Sequence, residues 1–322
     1  MPSPPPLEAA DSLYRGFPEF PSWGPLQPED IDLWSRFAAS LEERRKAATP
    51  EALKASVDVA IRAAALDTGA IEGLYTVDRG FTMTVAVQGL AWEQMIEERG
   101  AGVRELFEAQ LAGYDLVLDA VTQKQPITEA WTRALHETLC APQETYRVRT
   151  PSGRQEHELP KGQYKTQPNH VLLKDGTVYA YAPVDQVPAE MHRLVEQLRS
   201  PEFEAAHPVL QASWVHYAFV AIHPFADGNG RVARALASVY FYRCCSIPLL
   251  VFADQANAYL DALSSADLRN PRPLIVFFLN RGIDATQLIN GLSHQSEMRE
   301  WRNLHLAQER HFLYPPSRCG GE

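Results

Sequence analysis

Apolar positions recur at helical spacing through most of the chain. Ile31, Leu33, Trp34, Phe37 and Leu41 trace a helix that begins near Pro28. The Ala-rich stretch 51–66 makes a second helix, which runs into Asp67-Thr68-Gly69-Ala70-Ile71-Glu72-Gly73. Residues 82–123 and 128–140 read as further helices, punctuated by Pro126 and Pro142. The segment 143–170 is polar and reads as irregular. Two short β-prone runs then flank Asp175-Gly176, a pair suited to a type I′ turn, and predict a β-hairpin over 171–181. Helical patterning resumes at 188–199 and 204–222 and restarts after Gly230. It continues through two more helices to about 290, then a polar helical tail that ends at Pro315-Pro316. The Pro-rich start reads as an irregular arm whose aromatics Tyr14, Phe17, Phe20 and Trp23 pack on the body. The predicted class is mainly α, a helical bundle with one small β-hairpin.

Composition narrows the function classes. With 322 residues, 45% of them hydrophobic, the chain can bury a substantial core. The formal net charge of -10 argues against a protein that coats nucleic acid. Cys140, Cys244, Cys245 and Cys319 form no CxxC pair, so neither a disulfide framework nor a zinc site is expected. The start shows no basic, then apolar, leader pattern, and no run of 18 apolar residues occurs. These features predict a soluble cytoplasmic protein with no membrane or nucleic-acid partner.

The chemistry concentrates in His223-Pro224-Phe225-Ala226-Asp227-Gly228-Asn229-Gly230-Arg231-Val232-Ala233-Arg234. An apolar helix stops at His223-Pro224, because proline removes a ladder donor and pushes its predecessor out of the helical region. Gly228-Asn229-Gly230 then turns the chain into another helix, whose first amides form an anion site. Arg231 and Arg234 bring forked cationic donors to the same place. Asp227, beside that nest, suits Mg²⁺ among phosphate oxygens. His223 is a general-base candidate near neutral pH. Each residue alone has an ordinary structural explanation. Their joint occurrence points to a site for a polyphosphate, its metal and a base.

This segment is similar to the signature of the Fic family, HPFx(D/E)GNGRxxR, at every defining position, and the wider resemblance runs from about 50 to about 285. The resemblance implies a Fic-type helical bundle with a hairpin flap. It divides the chain into an arm and helix (1–50), a core (51–290) and a tail (291–322). It implies a protein adenylyltransferase that moves AMP from Mg-ATP to a Ser, Thr or Tyr hydroxyl of a target protein or of itself. His223 would be the base, Asp227 the Mg²⁺ ligand, and Gly228, Asn229 and Gly230, with the Asn229 side chain, the cradle of the α/β-phosphates. Arg231 and Arg234 would grip the β- and γ-phosphates, and Phe225 would anchor the loop. Glycine at 230, where phosphate-transferring relatives carry Lys, favours AMP transfer. Val171, Leu172, Thr177 and Val178 would form the flap edge, and Tyr259 a contact to the adenine or a core residue. Gly162-Gln163-Tyr164-Lys165-Thr166 departs from the family's usual Phe-Arg at Tyr164-Lys165. Thr68 and Glu72 fit the inhibitory pattern [S/T]xxxE[G/N], with Glu72 expected to pair in bidentate fashion with Arg234. Glu72 could alternatively align a water for removal of AMP. The remaining alternatives are a non-catalytic nucleotide sensor, a metal hydrolase built on His216, His223 and Asp227, and a DNA-binding regulator. Homodimerisation is left open.

Overall fold

The computed structural model describes residues 10–87, 92–100, 102–150, 153–172 and 177–291. Its centre is a helix hydrophobic on every side. α9 (Pro208–Ile222) buries each residue from Val209 to Ile222, as expected of a helix enclosed by others. It starts at Pro208, later than the sequence pattern suggests. Proline suits a first helical turn, and the His207 ring caps the start by accepting from Val209 N. α10 (Asn229–Cys245) packs along it. Around this pair lie α2 (Pro50–Ile71), α5 (Val103–Thr122), α6 (Glu129–Leu139), α7 (Val187–Gln197), α11 (Ala256–Asp267) and α12 (Arg272–Gly291). α1 (Pro28–Ala47) packs on α12, and a single turn, α8 (Pro201–Glu204), precedes α9.

Two expectations are corrected. The stretch 82–123 is not one helix but α3 (Arg79–Val87), α4 (Trp92–Glu97) and α5. Gly100 and Gly102, at φ 126° and 81°, break the run between α4 and α5. The segment 143–170 is not wholly irregular, because β1 (Thr145–Thr150) and β2 (Gly153–Glu158) pair antiparallel from Thr145↔Glu158 to Thr150↔Gly153. The expected second hairpin is present as β3 (Val171–Leu172) and β4 (Val178–Tyr179), paired Val171↔Tyr179 and Leu172↔Val178. Its Asp175-Gly176 turn and the polar helical tail fall outside the described residues.

The arm packs on the body as expected. Phe17 and Phe20 meet the Trp214 ring edge-on at 5.7 and 5.6 Å, and Trp214 Nε1 donates to Pro18 O at 3.1 Å.

Candidate active site

α9 ends in an uncommon way. His223 occupies the left-handed region, φ 52° and ψ 59°, directly before Pro224. A non-glycine residue held there costs on the order of 1–3 kcal/mol and needs support from its surroundings. That support is present. His223 N donates to Phe219 O at 3.0 Å, and Asn169 Nδ2 donates to Phe225 O at 2.8 Å and to His223 O at 3.4 Å. The Tyr181 ring, just beyond β4, stacks on the imidazole at 3.7 Å and 16°. His223 Nδ1 lies 3.3 Å from Val220 O. A carbonyl only accepts, so Nδ1 carries the proton and Nε2 is left with a free lone pair. Burial, and then the Lys165 charge, hold the imidazole well below its ordinary range, so the ring is neutral.

The loop after Pro224 is pinned from inside. Asn229 Oδ1 accepts from Phe225 N at 2.9 Å while its Nδ2 donates to Phe225 O at 2.8 Å. The Asn229 side chain, expected at the phosphates, closes the loop in the resting protein through Oδ1 and one N–H of its amide. Phe225 is buried, as its anchor role requires, and stacks on His136 at 3.9 Å. His136 Nδ1 accepts from Gly162 N, so Nε2 is the donor to Asp227 O at 3.0 Å. Gly228, at φ 79°, is the residue before α10. A Cβ there would lie 2.6 Å from Cys140 Sγ, so both backbone angle and space demand glycine.

Asp227 and Arg231 share a bridge that the sequence did not reveal. Gln143 Nε2 donates to Asp227 Oδ2 at 2.7 Å, and Arg231 Nη2 donates to Gln143 Oε1 at 2.6 Å. Arg231 Nη1 also donates to Leu139 O at 3.3 Å. Arg231 is 1% exposed, and its Nε has no hydrogen-bond partner. A carboxylate beside the start of α10, with an arginine N–H buried and unspent, fits an anion and the hard cation that accompanies it.

Arg234 faces the end of α2. Its Nε donates to Thr68 Oγ1 at 2.7 Å, and Nη2 donates to Thr68 O at 3.1 Å and to Glu72 Oε1 at 2.7 Å. The expected bidentate carboxylate pair is therefore corrected. One Nη2 contact joins Glu72, and Thr68 takes the Nε donor because the helix end presents its hydroxyl and carbonyl to the fork. Glu72 lies just past the last residue of α2, Ile71, and its carboxylate rests over Gly230, where any Cβ would collide with it. Tyr259 is in the core: it is 3% exposed, and its hydroxyl meets His216 Nε2 at 2.8 Å. His216 is itself fully enclosed by that contact and by Phe278, away from a joint metal site with His223 and Asp227. On the flap, Val171 and Leu172 are exposed strand residues, Thr177 is exposed, and Val178 is half-buried. Gln143, His136, Asn169 and Tyr181 went unnoticed in the sequence. A histidine on the buried face of an amphipathic helix is the one available signal, for His136.

A model of the Fic/DOC family matches residues 126–241. The protein adenylyltransferase Fic of Nematostella vectensis is 32% identical over 155 residues, 46% of this chain and 35% of that protein. Its namesake in Drosophila yakuba is 37% identical over 87 residues, 27% of this chain and 18% of that protein. The chain thus spans about a third or less of these curated relatives. Among solved structures, a Fic domain containing signaling protein from Bacteroides thetaiotaomicron VPI-5482 superposes with a TM-score of 0.63 at 24% identity, covering 81% of this chain and 98% of that one. A Fic family protein from Desulfovibrio desulfuricans G20 gives 0.59 at 22%, covering 84% and 76%. At these identities the structural likeness speaks for the fold, while the family match spans the loop after Pro224 and the two helices, α9 and most of α10, that flank it. Residues 126–241 thus carry the Fic/DOC match, and the chain shares its fold with these Fic-domain structures.

Proposed function

We propose that the chain is a protein adenylyltransferase, restrained by Glu72, with residues 51–290 as the working unit. The observation that carries this reading is a neutral His223, with Nε2 free, at the entrance to a loop that supplies a carboxylate, the first amides of α10 and two buried arginines, although the Gly228 N–H donates to Asp227 Oδ1 at 2.7 Å in the resting protein. Nε2 takes the proton of an acceptor hydroxyl. The hydroxyl oxygen bonds to the α-phosphorus of ATP, the bond to the β-phosphate oxygen breaks, and pyrophosphate leaves. A positioned base contributes about 10²–10⁴ in rate. Asp227 would hold Mg²⁺, which neutralises phosphate charge when bound. The start of α10 and Arg231 receive the α- and β-phosphates, and Arg234 the γ-phosphate. β3 and β4 offer an edge to an extended target segment bearing the acceptor hydroxyl.

Arg234 in the resting protein is engaged by Thr68 and Glu72. Its fork is not available to the γ-phosphate, so ATP lies unaligned for in-line attack. Removing the Glu72 carboxylate frees a charge-assisted donor worth about 1.5–3 kcal/mol. Glu72→Gly is therefore expected to raise self-modification by about 10-fold to 10²-fold. Incubation with α-labelled and γ-labelled ATP in parallel tests both parts. Retained α-label that disappears on adding His223→Ala supports the reading. Retained γ-label means phosphate transfer and overturns it, and equal labelling of wild type and Glu72→Gly removes the brake.

A further inference from the structure

Beside His223 lies a cation that the proposed chemistry does not use. Lys165 sits on the strap between Gly162 and Asn169, and only 2% of it is exposed. Its backbone N–H donates to Pro224 O at 2.8 Å, locking the strap to the catalytic loop. Its Nζ donates to Asn169 Oδ1 at 2.7 Å, and the same Asn169 amide holds the carbonyls of His223 and Phe225. The ammonium lies 6.0 Å from the centroid of Tyr181, the ring stacked on the imidazole. Among the described residues no carboxylate makes an ion pair with it. Asp11, on the N-terminal arm, acts on it at longer range, while that carboxylate is bonded to His170 Nε2 at 2.8 Å.

A buried ammonium held by one neutral amide is costly, and proteins normally pair such a charge. Here the unpaired charge coincides with the clamp on the base. We propose that Lys165 is a positioning residue for His223: its backbone N–H on Pro224 O and its Nζ on Asn169 fix the left-handed turn, and its cation sits beside the ring stacked on the imidazole, with Nε2 ready to accept. This inference rests on the reading of His223 as the base.

At His223, burial and the Lys165 charge outweigh the opposing charge nearby. Burial depresses His223 and the Lys165 ammonium depresses it further, while Asp227 acts weakly the other way. Burial also pushes Lys165 itself down to about 7, against the pull of Asp11. Tyr181, between the two, is pushed up by burial and by the charges of Asp267 and Glu72, so it stays neutral and supplies only a ring face. Two adjacent basic groups that both resist a proton form a coupled pair. Removing the lysine charge lets His223 take up a proton at higher pH.

Two substitutions separate the clamp from the charge. Lys165→Gln keeps a donor for Asn169 and loses the charge, while Lys165→Arg keeps the charge. The full chain with ¹³C-labelled histidine is titrated by NMR, with His223→Asn assigning the resonance. The His223 midpoint is expected to rise by on the order of one pH unit in Lys165→Gln, and to stay at the wild-type position in Lys165→Arg. In the Glu72→Gly background, the acid limb of α-label transfer is expected to move upward in Lys165→Gln alone. Coincident His223 midpoints in wild type, Lys165→Gln and Lys165→Arg overturn the inference. If Glu72→Gly transfers no label at any pH, the adenylyltransferase reading fails, and the titration still decides the role of Lys165.

Discussion

At position 230 a methyl group would meet the Glu72 carboxylate and come within 3.2 Å of Arg234 Nη1. The obstructing oxygen is the far end of a flexible side chain, so the carboxylate yields rather than the backbone. Gly230→Ala is therefore expected to loosen the brake and raise self-modification above wild type. In a Glu72→Gly background the same substitution gives no further gain, because the displaced group is already gone. This non-additivity, read with α-labelled ATP, separates displacement of Glu72 from a general effect on the loop. Additive effects in the two backgrounds would refute the contact. ATP binding, measured separately, monitors the nest itself. The residues of this loop were legible because their chemistry lies within one short stretch. Its supports were not. Gln143, His136 and Asn169 are ordinary polar residues whose importance comes from contacts with positions 54 to 91 residues away. Asn229 was legible as part of the motif, while its loop-closing bonds were not, because nothing in its spacing separates holding the loop from holding the ligand.

The elements read best from sequence were those with a buried stripe or a proline boundary. The hairpin β1–β2 lacks the buried stripe: β2 is exposed throughout, and in β1 Tyr146 and Val148 are half-buried, too short an alternation to stand out. Cross-strand partners hold it instead: Arg147 and Glu156 at 3.6 Å, and the Tyr146 and His157 rings at 5.9 Å. Such pairs contribute about 0.2–1 kcal/mol each, and an isolated two-stranded hairpin is marginal in water. Replacing residues 146–157 by a short Gly-Ser turn is thus expected to leave the thermal midpoint within about 3 °C of wild type. The turn begins after Thr145, so Gln143 and its bridge between Asp227 and Arg231 are kept. Differential scanning calorimetry checks this, and a drop of 8 °C or more would mean that the hairpin supports the core after all. The same reasoning explains the division of 82–123: apolar periodicity persists across the break, and only the glycines at 100 and 102 record it.

For the whole molecule, buried titratable groups make stability depend on pH in opposing senses. Burial lowers His136 to about 4 and His216 to about 3. The unfolded chain, with imidazoles near 6.5, binds those protons more readily, so their contribution is complete above about 6.5 and is lost as pH falls toward 4 and 3. Asp67 runs the other way. Burial raises its carboxyl to about 7, although it accepts from Ala253 N at 2.7 Å. Its folded-state value exceeds the unfolded one, so its ionisation costs stability above about 7, and that cost fades as pH falls toward about 4. Asp67→Asn keeps an oxygen for Ala253 N and removes the charge. The variant is expected to exceed wild type at pH 8 by on the order of 2 kcal/mol, with the gap closing toward pH 4. Urea unfolding at pH 8, 6.5 and 5 measures it; a variant no more stable at pH 8, or a gap that widens in acid, contradicts the assignment. The location gives the result reach beyond stability. Asp67 directly precedes Thr68 and ties the end of α2 to the segment leading into α11. That bond anchors the residue before Thr68, so the variant, which keeps the acceptor, also reports on how firmly the end of α2 presents Thr68 and Glu72 to Arg234.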